Sequence, residues 1–327
     1  MGCQQHPYDT KQAIEMKKAL VVGINDYPGS ARLRGCVNDA TRIAELLSTH
    51  ADGSPNFDVM LSCDVKARSA LRSLILDAFK HDDESSLFYF SGHGCITDTD
   101  GYIVTPDFSR HDEGISMDEI LKIVNLSPAR HKIVILDCCH SGAMGVPLPA
   151  GTAAFLERGV IILASSRDTE VSMEVGNQGV FTSFLADALK GGAADIAGEV
   201  TPGSIYSYID KALGAWSQRP VFKANILRST CLRKVTPLVP LEELRKLTTY
   251  FPRAESEFAL DPSYEYTTET PDLDHIHTFK ILRRMQLIGL VEPVDEEYMY
   301  WAAINRKSCR LTSLGIYYWK LLTSGRL

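Results

Sequence analysis

Between residues 18 and about 222, short runs rich in Val, Ile, Leu and Phe alternate with longer stretches whose apolar residues recur at helical spacing. Runs that are short and continuously apolar suit strands buried on both faces. Their alternation with helices predicts βαβ units and a mostly parallel sheet sandwiched by helices, an α/β fold. Strands are expected at 19–24, 57–61, 87–90, 102–104, 133–136 and 160–164, with 219–222 as a last, edge strand. Helices are expected at 38–48, 67–80, 117–124, 181–190 and 204–213. Asn38, Asp39, Ser116 and Thr201-Pro202 supply cap and first-turn signals, and Gly191-Gly192 ends the fourth helix.

The texture changes beyond about 230. Thr236-Pro237-Leu238-Val239-Pro240 resembles a linker, and 251–274 is rich in Glu, Asp, Thr and Pro. A helix over 278–287, a turn at Gly289, strands near 290–294 and 298–303 and a last helix from 311 follow, the outline of a winged-helix-like domain. Four segments result: an N-terminal extension over 1–17, an α/β domain over 18–230, a linker and acidic segment over 231–274, and the winged-helix-like module over 275–327. From 235 onward 11 Lys/Arg stand against 13 Asp/Glu. A DNA-reading module carries a basic face, so a regulatory or protein-interaction role is expected for this one.

Composition narrows the class without naming a function. The 327 residues are 45% hydrophobic and 23% charged, with a net charge of -7, which fits a soluble globular protein. The acidic balance argues against nucleic acid and against anionic membranes as partners. No apolar stretch is long enough for a membrane span, and 1–18 holds no signal-peptide core. Gly2-Cys3 with His6 misses the myristoylation pattern. Eight cysteines in a chain this long suggest reduced thiols and a cytoplasmic setting.

Two apolar runs end in reactive residues set among small ones: Ser91-Gly92-His93-Gly94 and Asp137-Cys138-Cys139-His140-Ser141-Gly142. Ligands bind at the carboxyl ends of strands in open α/β sheets, so His93 and Cys139 would meet in one crevice as a base and a nucleophile. They lie 46 residues apart, near the spacing of about 50 known for caspases. Together with Gly35-Cys36-Val37-Asn38-Asp39-Ala40, the two motifs resemble those of the caspase-like peptidases in their metacaspase form, over roughly 18–222.

That resemblance implies a cysteine endopeptidase. Cys139 would be the nucleophile and His93 its acid and base, and the backbone N–H groups of Gly94 and Cys139 would form the oxyanion hole. It also places Cys36, Asp39, Ser91 and Asp137 around the S1 pocket. Two carboxylates in one pocket repel unless a cation joins them, so cleavage after Arg, then Lys, is expected rather than after Asp. No third member of the catalytic group is evident.

Many metacaspases require calcium. Asp100 and Asp118 stand in matching regions as weak candidates, but Val146-Pro147 falls where a carboxylate is expected. Calcium takes six to eight oxygens, so no cofactor is expected; Asp98, Asp107 and Asp112 then belong to a solvated acidic loop. Zinc at Cys138-Cys139-His140 is disfavoured, since adjacent ligands suit a tetrahedral ion poorly. The aromatics at 298–301 and 317–319 are expected in a small core. Residues 143–157 hold no Lys or Arg, so an Arg-specific enzyme could not cut itself there. Control through the C-terminal module or an upstream protease is expected instead.

The resemblance and the single appended module suggest a regulated effector like those of bacterial defence or cell death. Its partners would be protein substrates with a basic cleavage site and a regulatory protein at the C-terminal module. The alternatives are a catalytically silent caspase-like scaffold and a transcriptional regulator acting through that module.

Overall fold

Strand Lys17–Gly23 (β1) carries apolar side chains on both faces, and this fixes it inside a sheet with a layer on each side. The computed structural model describes residues 16–97, 100–109, 112–138, 155–165, 174–175, 178–213 and 219–327. Helix Cys36–Ser48 (α1) follows, then strand Asp58–Cys63 (β2), helix Arg68–Phe79 (α2) and strand Ser85–Ser91 (β3). A separate antiparallel sheet comes next, made of Gly94–Ile96 (β4), Gly101–Ser109 (β5) and Asp112–Ser116 (β6). The chain continues through helix Met117–Leu126 (α3) and strands His131–Asp137 (β7) and Val160–Ala164 (β8). A short ribbon pairs Glu174–Val175 (β9) with Gln178–Gly179 (β10) and leads into helix Val180–Asp187 (α4). Then come Glu199–Val200 (β11), helix Pro202–Leu213 (α5), Val221–Asn225 (β12) and Arg233–Lys234 (β13), the last pairing with β11.

The main sheet has the order β12-β8-β7-β3-β1-β2, parallel throughout except for β12. Val21, Leu87, Tyr89, Ile133 and Ile135 face the core shared with α1, α4 and α5, while Leu20, Val22, Phe88, Phe90 and Val134 face that of α2 and α3. The run at 102–104 does not join the main sheet. It lies in β5, because an apolar run does not reveal which neighbour it pairs with. Expected caps divide likewise: Ser116 Oγ accepts from the Glu119 N–H at 3.0 Å, whereas Asn38 and Asp39 lie inside α1. The N–H groups of Cys36 and Val37 are met instead by Asn25 Oδ1, at 3.0 and 3.4 Å. Helix α4 ends at Asp187 in a π-type turn through Ala188–Gly192, where Gly191 takes φ 126°.

The chain divides into two units: residues up to Ala194 with Glu199–Val235, and Asp195–Gly198 with Thr236–Leu327. The second has helices Leu241–Leu244 (α6) and Leu247–Tyr250 (α7), strand Glu257–Ala259 (β14) and helix Leu273–Leu287 (α8). Strand Val291–Pro293 (β15), helix Met299–Ile304 (α9), strand Ser308–Leu311 (β16) and helix Ser313–Thr323 (α10) complete it. Its sheet is antiparallel in the order β14-β16-β15.

Part of the expected linker and acidic segment belongs to this unit's core, where Val239, Leu244, Leu247, Phe251 and Leu260 are buried with Phe279, Leu282 and Met285. The strand expected at 298–303 is a helix, burying Met299, Ala302 and Ala303 at helical spacing. The aromatics split. Trp319 packs on the core and donates its Nε1–H to the Phe251 carbonyl at 2.7 Å, but Tyr298, Tyr300, Trp301 and Tyr317 are exposed. Among the described residues no helix is long and apolar enough to cross a membrane.

Candidate active site

Gly23, at the end of β1, brings α1 onto the sheet. A Cβ there would stand 2.3 Å from the Cys36 carbonyl oxygen and 2.8 Å from the Ala40 Cβ, so glycine alone permits this approach. The approach delivers Cys36 and Asp39, in the first turn of α1, to the carboxyl ends of the strands. There Ser91 of β3 pairs in register with Asp137 of β7. Tyr89 and Ser91 point to the same face as Asp137, since side chains alternate along a strand. Cys36, Asp39, Ser91 and Asp137 are all buried.

The two carboxylates converge on β10. The Gly179 N–H donates to Asp39 Oδ2 at 3.0 Å. A Cβ at Gly179 would lie 2.5 Å from Asp137 Oδ2 and 3.2 Å from Asp39 Oδ2. Thr182 of α4 donates its hydroxyl proton to Asp137 Oδ2 at 2.6 Å, and the Tyr89 hydroxyl lies 2.5 Å from Thr182 Oγ1. Burial pushes the Tyr89 phenol well above its ordinary range, and the charges of Asp137 and Asp39 add to that. Gly179, Thr182 and Tyr89 are absent from the motifs, and no local sequence signal marks them.

His93 follows β3 at the start of the turn into β4 and is half-buried. Its Nε2 lies 2.7 Å from the Ala31 carbonyl oxygen. A carbonyl can only accept, so Nε2 carries the proton, and in the neutral ring Nδ1 is left with the lone pair that can take one. The group that holds Nε2 is thus a backbone atom, which no motif displays.

Tyr27 holds the same loop from below. Its hydroxyl accepts the His93 backbone N–H at 3.0 Å and donates to the Val104 carbonyl at 3.1 Å, and its ring meets the imidazole edge to face at 4.6 Å between centroids. The loop carrying Tyr27 is fixed in turn by Asp64 Oδ1, which accepts from the Asn25 and Asp26 N–H groups.

Cys139, expected as nucleophile and as one oxyanion donor, lies outside the described residues, as does 140–154. The described chain continues one residue past β7, to Cys138, buried, whose carbonyl accepts from the Ser165 hydroxyl at 3.2 Å. Gly94, the other oxyanion candidate, opens β4 directly after His93.

Asp100 and Asp118 do meet, with the Asp118 N–H donating to Asp100 Oδ2 at 3.2 Å. The Asp118 carboxylate, however, sits 2.5 Å from Lys122 Nζ, and Asp100 Oδ1 accepts the Gly101 N–H. Among the described residues no group of three or more His, Cys, Asp or Glu is arranged to hold a metal ion. Asp100 and Asp118 alone would give calcium fewer than the six to eight oxygens it takes. Asp107 and Asp112, expected in a solvated loop, both bind Arg68: its N–H reaches Asp107 and its guanidinium Asp112.

Known proteins bear on this geometry. The chain is 34% identical over 155 residues to metacaspase-1 of Meyerozyma guilliermondii, covering 44% of this chain and 34% of that protein. It is 32% identical over 176 residues to metacaspase-1A of Aspergillus oryzae, covering 47% and 41%. It therefore spans less than half the length of either relative. Among solved structures, caspase-1 of Spodoptera frugiperda superposes with a TM-score of 0.50 at 13% identity over 68% of this chain and 92% of that one, a likeness of fold. The caspase-domain profile, peptidase C14, matches residues 16–231, and the chain belongs to that family.

Proposed function

We propose that this protein is a cysteine endopeptidase that cleaves polypeptides after Arg, and less readily after Lys, by a Cys139/His93 dyad. The observation that carries this reading is the convergence of the buried Asp39 and Asp137 carboxylates on Gly179. Two buried carboxylates facing one spot favour a cationic side chain there, and a planar guanidinium can bridge both where an ammonium offers a single point of charge. The substrate side chain would supply that cation, with Cys36 and Ser91 walling the same pocket.

In the reaction, Nδ1 of His93 takes the Cys139 thiol proton while Nε2–H stays on the Ala31 carbonyl. The thiolate adds to the scissile carbonyl, and the charge on its oxygen is met by the Gly94 and Cys139 N–H groups. The imidazolium then protonates the departing amine. Water, deprotonated by His93, hydrolyses the thioester and restores the thiol. The poor fit at Asp100 and Asp118 supports catalysis without calcium.

The second unit is assigned as a winged-helix-like regulatory module. Its strand order β14-β16-β15, with α8 preceding β15, supports that outline, and its net acidity favours a protein partner over DNA. A cytoplasmic effector under the control of this module, in defence or cell death, fits the architecture.

Fluorogenic peptides with Arg, Lys or Asp at P1, offered to the wild type and to Cys139→Ala with calcium or a chelator, test the reading. Cleavage in the order Arg, Lys, Asp, lost in Cys139→Ala and indifferent to calcium, is expected. Preference for Asp would overturn the specificity. Absence of cysteine-dependent cleavage, even after nicking by another protease, would leave the scaffold reading.

A further inference from the structure

We propose that Thr182 is a specificity-determining positioning residue. Its hydroxyl, backed by that of Tyr89, holds the Asp137 carboxylate in the orientation that grips a P1 guanidinium. The inference rests on the Arg/Lys reading above and deepens it.

Proton counting fixes the direction of the chain. A carboxylate only accepts, so the one proton of Thr182 goes to Asp137 Oδ2 at 2.6 Å. The 2.5 Å contact between Tyr89 and Thr182 must then run from the phenol to Oγ1. Tyr89 is fully buried, and burial favours the phenol over the phenolate, so the hydroxyl stays a donor. Short hydrogen bonds to a charged acceptor are the stronger kind, and each bond in such a chain polarises the next.

Gly179 completes the cradle. Its backbone lies against Asp137 Oδ2, and its N–H holds Asp39 Oδ2. Each carboxylate therefore has its Oδ2 anchored by the protein from β10 or α4. A bidentate fork needs that orientation, whereas a lysine ammonium tolerates a turned carboxylate.

Thr182→Val keeps the shape and removes the donor. Its kcat/KM for an Arg peptide is expected to fall about tenfold or more, mostly through KM, with the preference for Arg over Lys shrinking. The acid limb of kcat/KM is expected to move to higher pH, because loss of a donor disfavours the ionised carboxylate. Among the described residues, Asp39 from α1 and Tyr89 from β3 are titratable groups that bear on Asp137, and the variant retains both. Thr182→Ser should stay within about threefold of the wild type. Tyr89→Phe, which leaves the Thr182–Asp137 bond in place, should shift the same readouts in the same direction by a smaller factor.

A wild type that does not prefer basic P1 residues defeats the underlying specificity reading, whatever Thr182 does. A wild type that prefers Arg, with Thr182→Val unchanged in KM, acid limb and Arg/Lys ratio, overturns this inference alone. The same holds if Thr182→Ser behaves like Thr182→Val. If Thr182→Val fails to fold, unchanged parameters in Tyr89→Phe overturn it.

Discussion

The Nε2 of His93 is tied to the carbonyl of Ala31 at 2.7 Å, and this one contact decides which ring nitrogen would serve as the base of the proposed dyad. Nδ1 alone is left to exchange a proton with a thiol. His93→Gln keeps a donor for Ala31 and removes the base. Its kcat is expected to fall by about two to four orders of magnitude with little change in melting temperature. Retention of a tenth or more of wild-type kcat would rule out His93 as the general base.

Tyr27 reaches the same residue through its backbone. Tyr27→Phe keeps the edge-to-face ring contact but leaves the His93 N–H and the Val104 carbonyl without their shared partner. An unmet backbone group costs about 1–3 kcal/mol, so the turn should loosen and kcat should drop by about an order of magnitude, with KM less affected. Steady-state kinetics beside thermal unfolding would decide it. An unchanged kcat would show that the hydroxyl only fills space.

The residues that sequence reasoning reached and those it missed differ in kind. β8 is found where its five apolar residues stand, because a continuous run buried on both faces can be read locally. Asp39 and Asp137 sit in motifs, and motifs are local too. Thr182 and Gly179 matter only because the fold carries α4 and β10 back to α1 and β7, more than 40 residues away in sequence. The Ala31 carbonyl is invisible in principle, since every residue has one. At α9, where a strand is expected, Met299, Ala302 and Ala303 are buried along one helical face instead.

The six described thiols should separate by reactivity. Burial pushes the Cys309 thiol up to about 12, with Glu257 adding to the effect. A raised pKa means that little thiolate is present at pH 8, and the thiolate is the form that reacts. In the folded protein Cys63, exposed on β2, should react with iodoacetamide well before Cys309. Unfolding in guanidinium should abolish the difference. Peptide mass spectrometry reads both, and equal native rates would contradict the burial of Cys309.

Gly23 offers a test of how the α1 face of the site is built. In Gly23→Ala the new Cβ would meet the Cys36 carbonyl at 2.3 Å, a backbone atom that moves only if the start of α1 moves with it. Overpacking of this kind costs about 1–3 kcal/mol, equivalent to a melting temperature lower by several degrees in a unit of this size. The shift should also displace Asp39 from the Gly179 N–H, so KM for an Arg peptide should rise together with the loss of stability. Gly53→Ala is the control. Its φ of +83° is strained for alanine, but no atom lies within 4 Å of the new Cβ. That variant should lose about 1 kcal/mol or less from backbone strain and keep its KM. If Gly23→Ala loses no more stability than Gly53→Ala, or loses stability with KM unchanged, the close approach of β1 and α1 does not position the pocket.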